Sequence, residues 1–301
     1  MGILKEIVGH ALHVIKSPGT GLRMLAKGDS AAFYTLLGDD LVFFQGDNFK
    51  DPEKPLWLNF GYWEQARNYP DAARALARLL ADWADLREEL DVLDVGFGFA
   101  EQDILWANER NPRSITGVNV TPLHVRVGQE RVAKAGLAGR IDLRLGSATD
   151  LSSFAEAQFD RVVALECAFH FHTREDFFRE AFRVLKPGGR LAATDLLSLP
   201  GYRSTWTDRL FRRYGDNPEA NVYDLETCKQ KLQALGYVGV KGESISHHVF
   251  PAIDKYAQLR REGAKMASID VQVTDEKSPG RITNGMDDYV IYSAEKPGKL
   301  A

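Results

Sequence analysis

Cysteine is scarce: the 301-residue chain has two, Cys167 and Cys228. Two thiols far apart cannot build a tetrahedral thiolate zinc site or a disulfide framework, so a reducing, cytoplasmic setting is expected. Positive charge is not in excess either. With 38 Lys+Arg against 42 Asp+Glu the formal net charge is −4, which supplies no field for binding DNA or bulk RNA. No apolar run approaches the roughly 18 to 20 residues that cross a bilayer. Lys5, Glu6 and His10 interrupt the stretch that a signal peptide needs, and Glu6 stands where a myristoylation motif after Met1-Gly2 wants Ser or Thr. Internal repeats and low-complexity linkers are missing as well. What is there is ordinary globular material, 44% hydrophobic and 27% charged, enough to bury a sizeable core in one enlarged domain.

From Asp91 to Leu199 short apolar runs alternate with longer amphipathic ones. Asp91 to Val95, Ile115 to Val118, Ile141 to Leu145, Phe159 to Leu165 and Leu191 to Leu196 read as strands, being short, β-branched or Leu-rich and bounded by Gly or Asn. Glu101 to Arg110, Pro122 to Ala135 and Arg174 to Leu185 have helical spacing, the last closed by Lys186-Pro187-Gly188-Gly189. Parallel strands need such crossovers, so the expectation is an α/β, doubly wound sheet. Val238 to Ser246 and Tyr289 to Ser293 add two late strands, for seven in all. Tyr69 to Leu86 is a helix with Leu76, Leu79, Leu80 and Trp83 on one stripe. The division expected is a helical and aromatic cover over 1–68, a core over 69–199, and cap insertions with the closing strands over 200–301.

The run Asp94-Val95-Gly96-Phe97-Gly98-Phe99-Ala100 ends a strand in a glycine turn that opens a helix, bringing backbone and helix N–H groups close to a ligand. A NAD fingerprint needs Gly or Ala at its sixth position, where this chain has Glu101. With Asp94 two positions before the first glycine, Glu166 and His170 spaced by four after the fourth strand, Lys186 to Gly189 before the fifth, and the aromatic run Asn59-Phe60-Gly61-Tyr62-Trp63 upstream, residues 69–199 resemble the class I S-adenosylmethionine-dependent methyltransferases. The likeness is to the small-molecule branch acting on sterols, quinones, polyketides, sugars and terpenoids. It implies a Rossmann-like sheet and S-adenosyl-L-methionine held by Tyr62, Trp63, Asp94, Gly96, Gly98, Asn119, Ser147, Ala148 and Glu166. Three positions depart from the family pattern: Asn119 replaces the acid that meets the ribose, Ala100 replaces the third loop glycine, and Ser147 stands where an acid often meets adenine, with Asp150 three residues later.

The methyl group rides on a sulfonium, itself a good leaving centre, so positioning is the chief demand on the protein. An oxygen acceptor must also lose a proton. His170 is the leading base because imidazole titrates near neutrality; the alternative is a histidine that buttresses the loop. Glu166 is read as a cofactor or substrate ligand, a base toward a carbocation, or a loop-stabilising carboxylate. Tyr62 and Trp63 suit either a sulfonium or the packing of the cover. His170-Phe171-His172 lacks a third ligand nearby, so no metal is expected. His247-His248, on or beside a late strand, is a weaker substrate contact. Tyr202, Trp206, Phe211, Tyr214 and Tyr223 suit a lid over an apolar substrate, or ordinary core.

The function expected is methyl transfer to a small apolar or amphipathic natural-product-like acceptor, oxygen ahead of carbon. Two alternatives stay open. In one, a prenyl diphosphate alkene is C-methylated, its diphosphate held by Arg203, Arg209, Arg212 or Arg213; in the other, the chain binds cofactor as a non-catalytic partner protein. The stripe Ile3, Leu4, Ile7, Val8, Ala11, Leu12 and Ile15 suits peripheral contact with lipid, the core, or a second copy in a homo-oligomer.

Overall fold

Among the described residues the first helix opens at Asn68, whose side chain accepts from the Asp71 amide, with Pro70 in the first turn. In this computed structural model, which describes residues 54–205, 218–264, 269–271 and 287–298, α1 (Tyr69–Trp83) buries Leu76 and Leu80. Ala72, Ala73, Ala77 and Ala81 widen the stripe that α1 lays against the sheet, while Leu79 and Trp83 sit half-buried at its margin.

The strands that follow are β1 (Asp91–Val95), β2 (Ser114–Asn119), β3 (Ile141–Leu145), β4 (Phe159–Leu165), β5 (Leu185–Ser198), β6 (Val238–Ser244) and β7 (Asp287–Glu295). They form one sheet in the order β3-β2-β1-β4-β5-β7-β6, the first five parallel and β7 antiparallel to both neighbours. The crossovers are α2 (Glu101–Glu109), α3 (Pro122–Lys134) and α4 (Arg174–Val184), with α5 (Leu225–Ala234) before β6. This is the expected doubly wound, seven-stranded, mostly parallel sheet. The chain winds outward from β1 to β3 and returns to β4 on the other side, so the carboxyl ends of β1 and β4 form the switch-point crevice where ligands of open α/β sheets bind.

Two elements correct the sequence reading. β5 starts at Leu185 and takes in Lys186 to Gly189, because the chain goes straight from the end of α4 into pairing with Phe159, then shifts register before Arg161. The late strand expected over Val238 to Ser246 stops at Ser244, and Ser246–Arg261 forms a helix, α6. His247 and His248 therefore lie in a helical first turn, where period-two alternation does not apply. Val249, Phe250, Ile253, Tyr256 and Ala257 are buried at helical spacing, and Pro251 inside the helix conceals that pattern from a sequence reader.

Residues 54–68 have no helix or strand, yet they are tied down along their length. Leu56 N–H donates to Glu101 Oε1 at 3.0 Å, the Tyr69 hydroxyl lies 3.0 and 2.8 Å from the Trp57 and Asn59 carbonyls, Tyr62 N–H donates to Ala72 O, and Trp63 N–H to His248 O. Gly61, at φ 81°, lies so close to α1 that an added Cβ would stand 2.7 Å from that of Ala72. The segment forms a strap over the amino ends of α1 and α2. The apolar stripe of the first 15 residues, Trp206, Phe211, Tyr214 and the arginines 209, 212 and 213 lie outside the described residues.

Candidate active site

β1 runs into the glycine turn at Gly96, φ 77°, where a Cβ would meet Cys167 Sγ at 2.7 Å and its Cβ at 2.8 Å. Only glycine lets the turn lie against the end of β4, and the Cys167 thiol closes the contact by donating to Val95 O. A Cβ on Gly98, φ 56°, would meet Leu58 Cδ1 at 3.1 Å, so a branched residue there presses on the strap. Ala100, at the third glycine position, has φ 66° and caps α2 without a side-chain hydrogen bond. Alanine there carries left-handed strain of about 1 kcal/mol, more than a mild exchange suggests.

Beside the turn lie two acids, Asp94 on β1 and Asp103 on α2, both 0% exposed. Gln102 Nε2 donates to Asp94 Oδ2 at 3.0 Å, while Asp94 Oδ1 and both Asp103 oxygens have no donor. Two carboxylates cannot hydrogen-bond each other; one proton between them makes one a donor. Burial and mutual charge hold Asp94 well above the usual carboxylate range, and burial pushes Asp103 to about 7. The folded protein thus holds protons that the unfolded chain gives up above about pH 4. Stability on this account falls as pH rises from about 4 through 7, by about 1 kcal/mol per pH unit for each proton. Asp103→Asn is expected to flatten that slope and raise the melting temperature at pH 8 relative to the parent; parallel melting curves at pH 5 and pH 8 for the two proteins would count against it.

Glu166 follows β4 at φ 52°, a left-handed conformation for a non-glycine residue, with its N–H on Thr194 O and Oγ1. Its Oε2 accepts from the Phe60 amide at 2.7 Å and from the Tyr289 hydroxyl. Its Oε1 has no partner among the described residues, and the residue is half-buried. Crowding by protein raises its pKa to about 8, against the pull of Tyr289 and Phe60 toward the charged form. His170, four residues on, is buried in the single turn Ala168–His170, its ring centroid 4.0 Å from that of Phe169.

Of the other expected site residues, Asn119 spends its side-chain oxygen on Thr121 N–H at the start of α3. Ser147 bonds Thr149 within the turn after β3, next to buried Ala148. Tyr62 is half-buried with its ring edge on His248, centroids 4.9 Å apart, and burial, with Glu64 adding to it, raises its hydroxyl to about 12. Trp63 is buried against Tyr256 of α6, its Nε1 donating to Phe60 O. The structure therefore brings Asp94, Gly96, Glu166, His170 and Phe60 to the switch point, while Trp63 anchors the strap in the core against Tyr256. Arg203 is exposed and Tyr223 buried.

Residues missed by the sequence reading join the same place. Tyr289 reaches Glu166 across 123 positions, a pairing with no local signal. Asp103 lies in the buried first turn of α2, where the fold sets it against Asp94. Asn221 Nδ2 donates to the carbonyls of Phe169 and Phe171, on either side of His170, at 3.1 and 2.8 Å.

A family model described as a methyltransferase domain matches residues 93–193. Erythromycin 3''-O-methyltransferase of Saccharopolyspora erythraea is 36% identical over 268 residues, covering 84% of this chain and 87% of that protein. The chain belongs to the class I S-adenosylmethionine-dependent methyltransferases of the small-molecule type. The 27-O-demethylrifamycin SV methyltransferase of Amycolatopsis mediterranei is 30% identical to this methyltransferase over 83% of the chain and 95% of its own length. The crystal structure of the cyclase SpnF shares the fold, with a TM-score of 0.66 and 22% identity over 90% of this chain and 97% of that one.

The methyltransferase uses S-adenosyl-L-methionine to methylate a small natural-product-like acceptor. Its residues fit that cofactor: Asp94 Oδ1, a buried carboxyl oxygen without a donor at the edge of the glycine turn, is the acceptor that a cationic ammonium group needs. Among the described residues no helix is long and apolar enough to cross a membrane.

Proposed function

We propose that this methyltransferase acts on a hydroxyl oxygen of a macrocyclic polyketide, of the kind named for its erythromycin and rifamycin relatives, with Glu166 taking the proton. S-adenosylmethionine supplies an electrophilic methyl on a sulfonium: the acceptor oxygen gains the methyl, the S–CH3 electron pair returns to sulfur, and the hydroxyl hydrogen leaves as a proton. The observation that carries the reading is Glu166 Oε1, an accepting oxygen without a partner among the described residues, on a carboxyl that titrates near 8. Such a group is deprotonated in part at neutral pH and basic enough to help remove a hydroxyl proton. His170 orders the acceptor beside it. Half-buried Phe60, Tyr62 and Phe169 supply apolar surface for a largely hydrocarbon molecule and keep water from the transfer.

Asp94 takes the cofactor ammonium, the turn at Gly96 and Gly98 lies along the methionine end, Asn119 donates to the ribose, and Ser147 and Ala148 flank the adenine. Tyr62 covers the sulfonium and Trp63 supports the strap. In this reading residues 1–68 form the cover, 69–199 the cofactor core and 200–301 the cap and closing strands. On the same reading the protein works in the cytoplasm and binds no nucleic acid. The test is purified protein with methyl-labelled cofactor and a panel of hydroxylated macrolactones and ansamycins, the product located by mass spectrometry and NMR. One methyl on oxygen is the expected result; methyl on carbon, or none on any hydroxylated acceptor, overturns it.

A further inference from the structure

Tyr289 is a fully buried polar group that touches the site. It is paired across the sheet with Leu196 of β5, and its backbone is locked twice more: its carbonyl accepts from Ile245 N–H at 2.8 Å and its N–H donates to Ser246 Oγ at 2.7 Å. Phe60 and Phe250 flank its ring, with centroids 6.2 and 6.0 Å away. The phenol fixed in this way sets its hydroxyl on Glu166 Oε2, with the Thr194 side chain of β5 as its other hydrogen-bonding neighbour. The Phe60 amide, carried by the strap, donates to the same oxygen.

We propose that Tyr289 is a positioning residue for methyl transfer, which together with the Phe60 amide occupies Glu166 Oε2, so that Oε1 alone is presented to the acceptor and the basicity of the carboxyl is set from β7, the strand beyond β5. The inference rests on the reading of Glu166 as the proton acceptor. Two donors on one carboxylate oxygen favour the charged form and fix the rotamer, while the other oxygen keeps its lone pairs. Burial works the other way, and Asp195 on β5 adds repulsion; Arg174 on α4, paired with Asp195 at 2.7 Å, offsets that charge. Cys167 beside Glu166 is a neutral thiol, burial holding its pKa well above the ordinary value, and Asp94 with its neighbour Asp103, together with His170, are further ionisable groups at the crevice among the described residues. Among the facing groups only the Tyr289 hydroxyl and the Phe60 amide donate to the carboxyl. The Phe60 bond also makes closure of the strap part of the same setting, since a strap lifted from α1 would leave Oε2 one donor short.

Tyr289→Phe removes the hydroxyl and keeps the ring. The acid limb of the kcat profile should move up by roughly one pH unit, lowering turnover at pH 7 about tenfold and leaving it near the parent value at high pH. Incorporation of 3-fluorotyrosine at position 289, a stronger donor with the same packing, should move the limb down. The carboxyl itself is read without any acceptor, as the infrared carbonyl band that Glu166→Gln abolishes, titrated in the parent and in both variants. Band and kcat limb moving together, in opposite directions for the two variants, support the proposal. A band that stays in place in both variants overturns it, and so does a band that moves while the limb does not. Absence of transfer to any hydroxyl by the parent protein strikes the proposed function instead, and the acceptor-free titration still reads the coupling between Tyr289 and Glu166.

Discussion

Replacing Glu166 by Gln is expected to lower turnover by 10²- to 10⁴-fold, the usual range for a positioned base, with cofactor affinity near the parent value. The amide keeps the size of the side chain and an oxygen for the Phe60 and Tyr289 donors, so what is lost is the capacity to take a proton. His170→Ala should cost less, about tenfold to a hundredfold, because the imidazole is buried beside Phe169 while Glu166 has an accepting oxygen to spare. From sequence, a carboxylate base predicts an acid limb in the ordinary carboxylate range; burial moves it, and kcat should rise across a limb near pH 8. The stability effect has the opposite sign. A carboxyl whose folded pKa lies above its unfolded value of 4.5 binds more protons when folded, so its contribution is present at low pH and lost as pH rises through 8. Glu166→Gln should therefore melt no lower than the parent at pH 8 while losing turnover. A variant with intact turnover would reduce Glu166 to a loop carboxylate, and a larger loss for His170→Ala would return the proton to the imidazole.

The parallel core was legible because its central strands β1 and β4 are buried on both faces and read as short, largely apolar runs, while the edge strand β3 alternates Ile-Asp-Leu-Arg-Leu with one face exposed; all three have the bounds that their Val, Ile and Leu content predicts. The glycine turn was legible for a related reason, since close approach of backbone to backbone demands glycine and leaves a mark in the sequence, as Gly96 does against Cys167. What the chain hides is pairing over long separations. Nothing local to Tyr289 says that its strand lies antiparallel between β5 and β6, or that its hydroxyl meets a carboxyl 123 residues earlier. His247-His248 misled for a different reason, because Pro251 masks the helical spacing of the apolar residues that follow. Asp103 went unseen because a charged residue in the first turn of a helix is ordinarily a surface residue favoured by the helix dipole, and only the fold places it against Asp94.

The largest loss of stability from one substitution is expected at Arg174. It opens α4, where Thr173 and Asp176 form a capping box, and its guanidinium is turned wholly inward. Nε and one terminal nitrogen meet Asp195 at 2.7 and 3.3 Å, the same terminal nitrogen reaches Leu196 O at 2.6 Å, the other reaches Asn221 O at 2.5 Å, and the ring of Tyr223 lies 5.2 Å away. Both members of the ion pair are 0% exposed. Arg174→Met leaves Asp195 as a buried charge without its partner, which costs about 3 to 5 kcal/mol. The double substitution Arg174→Met with Asp195→Leu should recover part of that loss, since removing both charges removes the desolvation penalty; the carbonyls of Leu196 and Asn221 still lose their donor, so recovery is incomplete. Denaturant unfolding of the two singles and the double measures the coupling, and a double as unstable as the sum of the singles would show that the pair is not the source of the loss. Asn221 links fold to site, its side-chain oxygen accepting the Arg174 amide at 3.0 Å. Its own amide donates to the carbonyls flanking His170, so Asn221→Ala should lose about 1 to 3 kcal/mol and also lower kcat with little change in cofactor affinity, because it loosens the turn that carries His170 while leaving Asp94 and the glycine turn untouched.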